Sequence, residues 1–228
     1  MKANDQAIFV HKSNYSSSSL LITFYTKSKG LQKFIFKGGK KKAHNLFPLA
    51  ISEIEYFGRN TDLLTLIRAE QVHPQTILFD PVKSSIAFFM AEVIQKCAEP
   101  GDCDEALFNF LERSILSLEK DQQLSIFPIE FLLHLTALLG FAPLVEENEC
   151  SVFNLDAGTF QHTESKQHRT YKGKAVRFIL QLLKEENVNV PTKDIREESM
   201  VILLNYYSIH VPRFKQLSSF EILKEVLS

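Results

Sequence analysis

The chain changes its period at Pro81, and that change is the strongest constraint on its fold. Before it, β-branched and aromatic residues cluster in short runs at 7–11, 20–25, 32–36, 46–57 and 63–69, the signature of strands. Turn-forming residues separate these runs at 14–19, at 27–30, at Gly38-Gly39 and at Gly58-Arg59-Asn60. Five short strands at this spacing predict a small barrel of the OB type, because closure removes the exposed edges of an open sheet. An SH3-like barrel has nearly the same pattern, and periodicity alone does not choose between them.

After Pro81 the apolar spacing becomes helical. Residues 82–97 place Ile86, Phe89, Met90, Val93 and Ile94 on one stripe, and residues 105–118 do so with Leu107, Phe108, Leu111, Ile115 and Leu118. Further helices are predicted at 128–140, 172–186, 194–210 and 218–227. Pro128 suits a first turn and Gly140 a helix end, while Asp194 and Glu197 have the spacing of a capping box. The predicted class is therefore α+β: an OB-type barrel over residues 1–80, then an α-helical bundle over 81–228. Residues 144–170 form a polar, irregular excursion within it, except for a hairpin of 151–155 with 159–162 turning at Asp156-Ala157-Gly158.

The net charge of −1 conceals an asymmetry. Residues 1–80 carry 11 Lys and Arg against six acids, a balance of +5, and the remainder carries −6. A basic part joined to an acidic one suggests two surfaces with different partners, an anionic polymer being the candidate for the first. The longest apolar run, residues 131–141, is broken by His134 and Thr136 and is too short to span a bilayer. The first residues show no signal-peptide pattern, and the odd, irregular set Cys97, Cys103 and Cys150 argues against a disulfide framework. The expected location is a reducing cytoplasm.

The most informative local run is Phe34-Ile35-Phe36-Lys37-Gly38-Gly39-Lys40-Lys41-Lys42. Alternation sends Phe34 and Phe36 inward and Lys33 and Lys37 outward, and Gly38-Gly39 permits a sharp turn into a triple-lysine loop. Lys27 and Lys29 lie in the preceding turn, and Arg59 and Arg68 extend the surface. Clustered cations of this kind neutralise phosphates and give sequence-independent affinity for nucleic acid. A solvated, solubilising face is the competing explanation, and the run alone leaves both open. Of the aromatics, Tyr25 and Tyr56 are expected to face out, whereas Phe24, Phe34 and Phe36 fill the barrel. A second basic cluster, Arg169, Lys172, Lys174 and Arg177, is expected at the start of a helix, where either an anion such as DNA phosphate offsets the unfavourable dipole or, the reading slightly favoured, the cations are simply a solvated helix end.

Other chemistries find little footing. Gly38-Gly39-Lys40-Lys41 lacks the spacing of a phosphate-binding P-loop, and no helix is expected after it. Cys150, His162 and His168 share the excursion, but a structural zinc site needs four ligands in close pairs, so no metal and no other cofactor is expected. Neither a nucleophile elbow nor an H-E-x-x-H pair occurs. His134 reads as an interface or hydrogen-bonded histidine, and the acid pairs Glu146-Glu147 and Glu185-Glu186 as solvated side chains. A non-enzymatic protein is expected.

The order of these features resembles the RecO family of DNA repair proteins. The likeness runs through Ile8-Phe9-Val10, Leu21-Ile22-Thr23-Phe24-Tyr25-Thr26, Gly30, the basic glycine loop at 37–42 and Leu63-Leu64-Thr65-Leu66. It continues through Leu138-Leu139-Gly140-Phe141-Ala142-Pro143 and closes with residues 206–223, including Phe214-Lys215-Gln216-Leu217-Ser218-Ser219. Two departures stand out: of the four-cysteine zinc site that many members carry only Cys150 remains, and Ser16, Ser17, Ser18 and Ser19 replace an acidic first turn. The resemblance implies a recombination mediator that binds single- and double-stranded DNA and anneals complementary strands. With RecR, and sometimes RecF, it would load RecA onto strands coated by single-strand-binding protein. The runner-up is an adaptor whose barrel contacts proteins and not DNA.

Overall fold

The computed structural model describes residues 2–58, 63–72, 75–145, 150–164, 168–186, 189–212 and 214–227. Five strands, β1 (Lys2–Asn14), β2 (Leu20–Thr26), β3 (Gly30–Phe36), β4 (Ile51–Phe57) and β5 (Leu63–Gln71), close into a barrel of order β1-β2-β3-β5-β4. Neighbours are antiparallel except β3 and β5, which run parallel from Lys33 opposite Leu63 to Phe36 opposite Leu66. This is the five-stranded OB-type barrel expected from the turn spacing. β1 serves two neighbours, pairing with β4 through its first half and with β2 through its second. The irregularity between Phe9 and His11 bends it from one to the other.

The barrel interior is aromatic. Phe9, Phe24, Phe34 and Tyr56 form a chain of edge-to-face contacts with centroids 5.8, 5.7 and 5.4 Å apart, and Ile22, Phe36, Ile54, Leu64 and Leu66 pack around them. Phe24, Phe34 and Phe36 fill the barrel as their parity predicts. Tyr56 does not face out. It shares the inward phase of Ile54, and the adjacent buried pair Ile51 and Ser52 at the strand start hides that phase in the sequence.

The expected triple-lysine loop is instead one helical turn, α1 (Gly39–Lys42), so a helical turn does follow the glycines. Gly38 takes φ 67°, a left-handed conformation suited to glycine. A side chain on Gly39 would press within 3.1–3.2 Å of Phe36 and Leu20. At four residues the turn is too short to signal itself by periodicity.

Helices α2 (Pro81–Cys97), α3 (Glu105–Lys120) and α7 (Ser218–Val226) belong to the same compact unit as the barrel, Met1–Asp121 with Leu217–Val226. Asp80 caps α2 by accepting from the Val82 and Lys83 amides, and Asp104 caps α3 likewise. The start of α7 is capped from another helix: Glu92 of α2 accepts from the amides and hydroxyls of Ser218 and Ser219 at 2.6–3.2 Å. Tyr25 points away from the barrel interior, as parity requires, yet it is buried. It stacks on Phe108 of α3 and donates to the Asp104 carbonyl at 3.4 Å.

The second unit, Gln122–Gln216 with Leu227–Ser228, holds α4 (Phe127–Leu138), α5 (Lys174–Leu183) and α6 (Lys193–His210). The change from strand to helix near residue 80 is thus not where the compact units part. The excursion is less irregular than its polarity suggests. Strands β6 (Leu144–Val145), β7 (Val152–Asn154), β8 (Thr159–Gln161) and β9 (Thr170–Lys172) form a sheet of order β6-β8-β7-β9. It is pinned by aromatic contact: Phe153 stacks on Phe160 at 4.4 Å, and Tyr206 and His210 of α6 bond the carbonyls of Phe141 and Leu155. Helix α6 begins one residue before Asp194, with Thr192 at its cap, so the anticipated capping box does not form.

Candidate nucleic-acid interface

The two ends of the β2–β3 hairpin separate cations that the sequence reading grouped together. Lys33 and Lys37 are exposed on the outer side of β3 and just beyond it, and Lys40, Lys41 and Lys42 project from α1 at the same end. Lys27 and Lys29 occupy the opposite end, seven residues of strand away, or about 23 Å at the rise of a β-strand. There Lys27 lies 3.8 Å from Glu105 and 5.9 Å from the Phe108 ring centroid. The hairpin therefore keeps them apart.

Arg68 also departs from the expected surface. It stands on β5 among Asp5, Glu53, Glu55 and Glu70 and pairs with Glu70. That hydrogen bond holds its guanidinium above the ordinary arginine range. Arg59 lies outside the described residues, as do Glu146 and Glu147.

At the lysine-rich end the barrel adds residues that the sequence did not single out. A groove of about 390 Å³ between the end of β1 and α1 is lined by Lys12, Ser13, Asn14, Lys40 and His44 among others. Lys12 bonds the Leu46 carbonyl at 3.0 Å. Its signal was lost because β1 runs to Asn14, past the predicted end at residue 11. Among the described residues no ion pair engages Lys33, Lys37, Lys40, Lys41 or Lys42.

The second basic cluster is organised differently. Arg169 donates from its amide, Nε and guanidinium to Asp156 at 2.7, 2.9 and 2.6 Å. These bonds hold the Asp156 carboxyl below its usual range. Lys172 is the last residue of β9, not part of a helix, and pairs with Glu164 at 2.9 Å, which holds its ammonium above its ordinary value. Only Lys174 and Arg177 lie on the helix, both exposed and three residues apart on α5. All four are exposed: Arg169 and Lys172 pair with carboxylates at the β7–β8 turn and beyond β8, and among the described residues no ion pair engages Lys174 or Arg177.

Among the described residues, no three His, Cys, Asp or Glu side chains are grouped as metal ligands, and Cys150 is buried. His134 lies on the exposed side of α4. No helix among the described residues is long and apolar enough to cross a membrane.

Comparison with known proteins bears on both parts of the chain. The model of "Recombination protein O N terminal" matches residues 1–75, and that of "Recombination protein O C terminal" matches residues 78–219. The chain is similar to the DNA repair protein RecO of Flavobacterium psychrophilum, 32% identical with the whole of both chains covered. It is likewise similar to that of Bacteroides fragilis, 30% identical over 96% of each chain. The RecO of Thermodesulfovibrio yellowstonii is 29% identical over 63% of this chain and 59% of its own.

Proposed function

The chain belongs to the RecO family of DNA repair and recombination proteins, and from that premise we propose that it is a non-enzymatic mediator acting on DNA in the cytoplasm, at the nucleoid. It binds single- and double-stranded DNA, anneals complementary strands and, with RecR and sometimes RecF, helps load RecA on strands coated by single-strand-binding protein. The observation that carries this reading is the end of the barrel bearing Lys37, Lys40, Lys41 and Lys42, with Lys33 on the outer side of β3 leading to it.

Annealing requires two polyanions to be held close together while their base edges stay free. Lysines suit that task because each contacts phosphate as a mobile point charge and leaves the bases available. Lys174 and Arg177 on α5 are the candidates for a second phosphate contact. Arg169 and Lys172, exposed but each paired with a carboxylate, rank behind them in that role.

The test is annealing of two complementary oligonucleotides by the purified protein, with and without ATP and divalent metal. The expected outcome is annealing without either addition, little dependence on sequence, and inhibition by salt. An absolute requirement for ATP, or no binding to DNA at low salt, would favour the adaptor reading or an enzyme and overturn this one.

A further inference from the structure

We propose that the outer face of β3, β5 and β4 is a base-contacting platform for single-stranded DNA, with Phe57 as its stacking residue. The inference rests on the DNA-binding reading and deepens it, since phosphate contacts alone do not distinguish a single strand from a duplex.

The platform follows from strand alternation. Phe34, Phe36, Leu64, Leu66, Ile54 and Tyr56 fill the barrel core, so Ile35, Thr65 and Phe57 point to the outer side. The registers place these three in one row: Leu21 opposite Ile35, Ile35 opposite Thr65, and Thr65 opposite Phe57. Phe57 is 54% exposed and lies two strands from Ile35, about 10 Å at ordinary strand spacing. In the next row Lys33 stands opposite Leu63, itself 38% exposed. A large aromatic ring this exposed at the end of a strand costs free energy in water and offers a π-face to any base.

Charge selects the occupant. The β3 side of the platform carries Lys33, with Lys37 and the α1 lysines beyond it, whereas β4 carries Glu53 and Glu55 further along its outer side. A polyanion therefore fits on the β3 side with its backbone along the lysines, and Glu53 and Glu55 disfavour it farther along β4, where Lys2 of β1, opposite Phe57, is paired with Glu55. A single strand can turn its bases onto Phe57, Leu63 and Ile35 while its phosphates meet the lysines. A duplex keeps its base faces stacked inside and can use the lysines alone. Tyr25 and Tyr56, the aromatics that parity offered from sequence, are buried and unavailable for this role.

The experiment compares an oligo-dT strand with an abasic strand of equal length, binding to wild-type, Phe57→Ala and Phe57→Trp proteins. Because the chain has no tryptophan, the introduced indole is the sole one and reports stacking directly. Phe57→Ala should weaken oligo-dT binding by about tenfold, the order expected for one lost stacking contact. It should leave abasic-strand binding and the salt slope unchanged. Phe57→Trp should retain oligo-dT binding, with emission quenched by oligo-dT and not by the abasic strand. If Phe57→Ala binds oligo-dT as tightly as wild type, or loses both strands equally, the platform is wrong while the DNA-binding reading stands. If the wild type binds neither strand, both fall together.

Discussion

The protein carries two groups of cations that look alike in sequence and differ in what surrounds them. Lys37, Lys40, Lys41 and Lys42 project from one end of the barrel, with Lys33 midway along β3 on its outer side, and the five engage in no ion pair among the described residues. Arg169 and Lys172 stand in the small sheet of the other unit and each grips a carboxylate, Asp156 and Glu164. A cation held by a carboxylate at 2.6–2.9 Å contributes little net field to an approaching polyanion. An unpaired lysine keeps its full charge and its counterions, and releasing those counterions is what drives phosphate binding. Counting basic residues therefore overstates the second group and understates how far the first depends on its scaffold.

Removing the scaffold makes the largest difference to that contrast. Phe34 sits at the centre of the aromatic chain, between Phe24 and Tyr56, and is fully buried. Phe34→Ala should cost about 3–5 kcal/mol of stability, read as a lower denaturation midpoint. DNA affinity should fall with the folded fraction although every lysine remains. Binding that survived full unfolding would show that charge alone, without placement, accounts for the lysine group.

A smaller effect sharpens the comparison from the side of a partnered charge. Burial pushes the Glu92 carboxyl up, but the hydroxyl and amide of Ser219 and those of Ser218 outweigh it and hold the group below its usual range. A carboxyl whose folded value is depressed stabilises the fold above its unfolded value, about 4.3, and that contribution is lost as pH falls through the folded value. Glu92→Gln should therefore lower stability at neutral pH by about 1 kcal/mol, the scale of a lost helix cap. The difference from wild type should vanish in acid, and DNA affinity at neutral pH should stay unchanged. Thermal melts at pH 7 and near pH 3 check the sign; a difference that grows in acid would contradict the capping role.

Much of the fold is legible in the sequence because it is written in local periods. The five barrel strands and the six long helices follow from spacings of two and of three to four, with ends displaced by a few residues. What escaped is set by contacts between distant residues or by segments too short for a period. The turn Gly39–Lys42 is four residues long, and β6, β7, β8 and β9 have two or three each. Parity placed Tyr25 correctly on the outer side, but only the later helix α3 buries it there. For the candidate site, the lysines of β3 and α1 were visible as a run. The neutralisation of Arg169 by Asp156, 13 residues away, and of Arg68 within an acidic groove was not. Phe57 was hidden by a wrong phase at its neighbour Tyr56.

The most direct test is the salt dependence of single-strand binding, measured on wild type, on the triple variant Lys40→Ala, Lys41→Ala, Lys42→Ala, and on Arg169→Ala with Lys172→Ala. Each phosphate contact on a single strand contributes about −0.7 to the slope of log K against log salt. The triple variant should therefore flatten the slope by about 2 if all three lysines engage phosphate, while the double variant keeps the wild-type slope and loses stability only. An unchanged slope in the triple variant, with a flattened one in the double variant, would contradict the account and move the phosphate site to the other group.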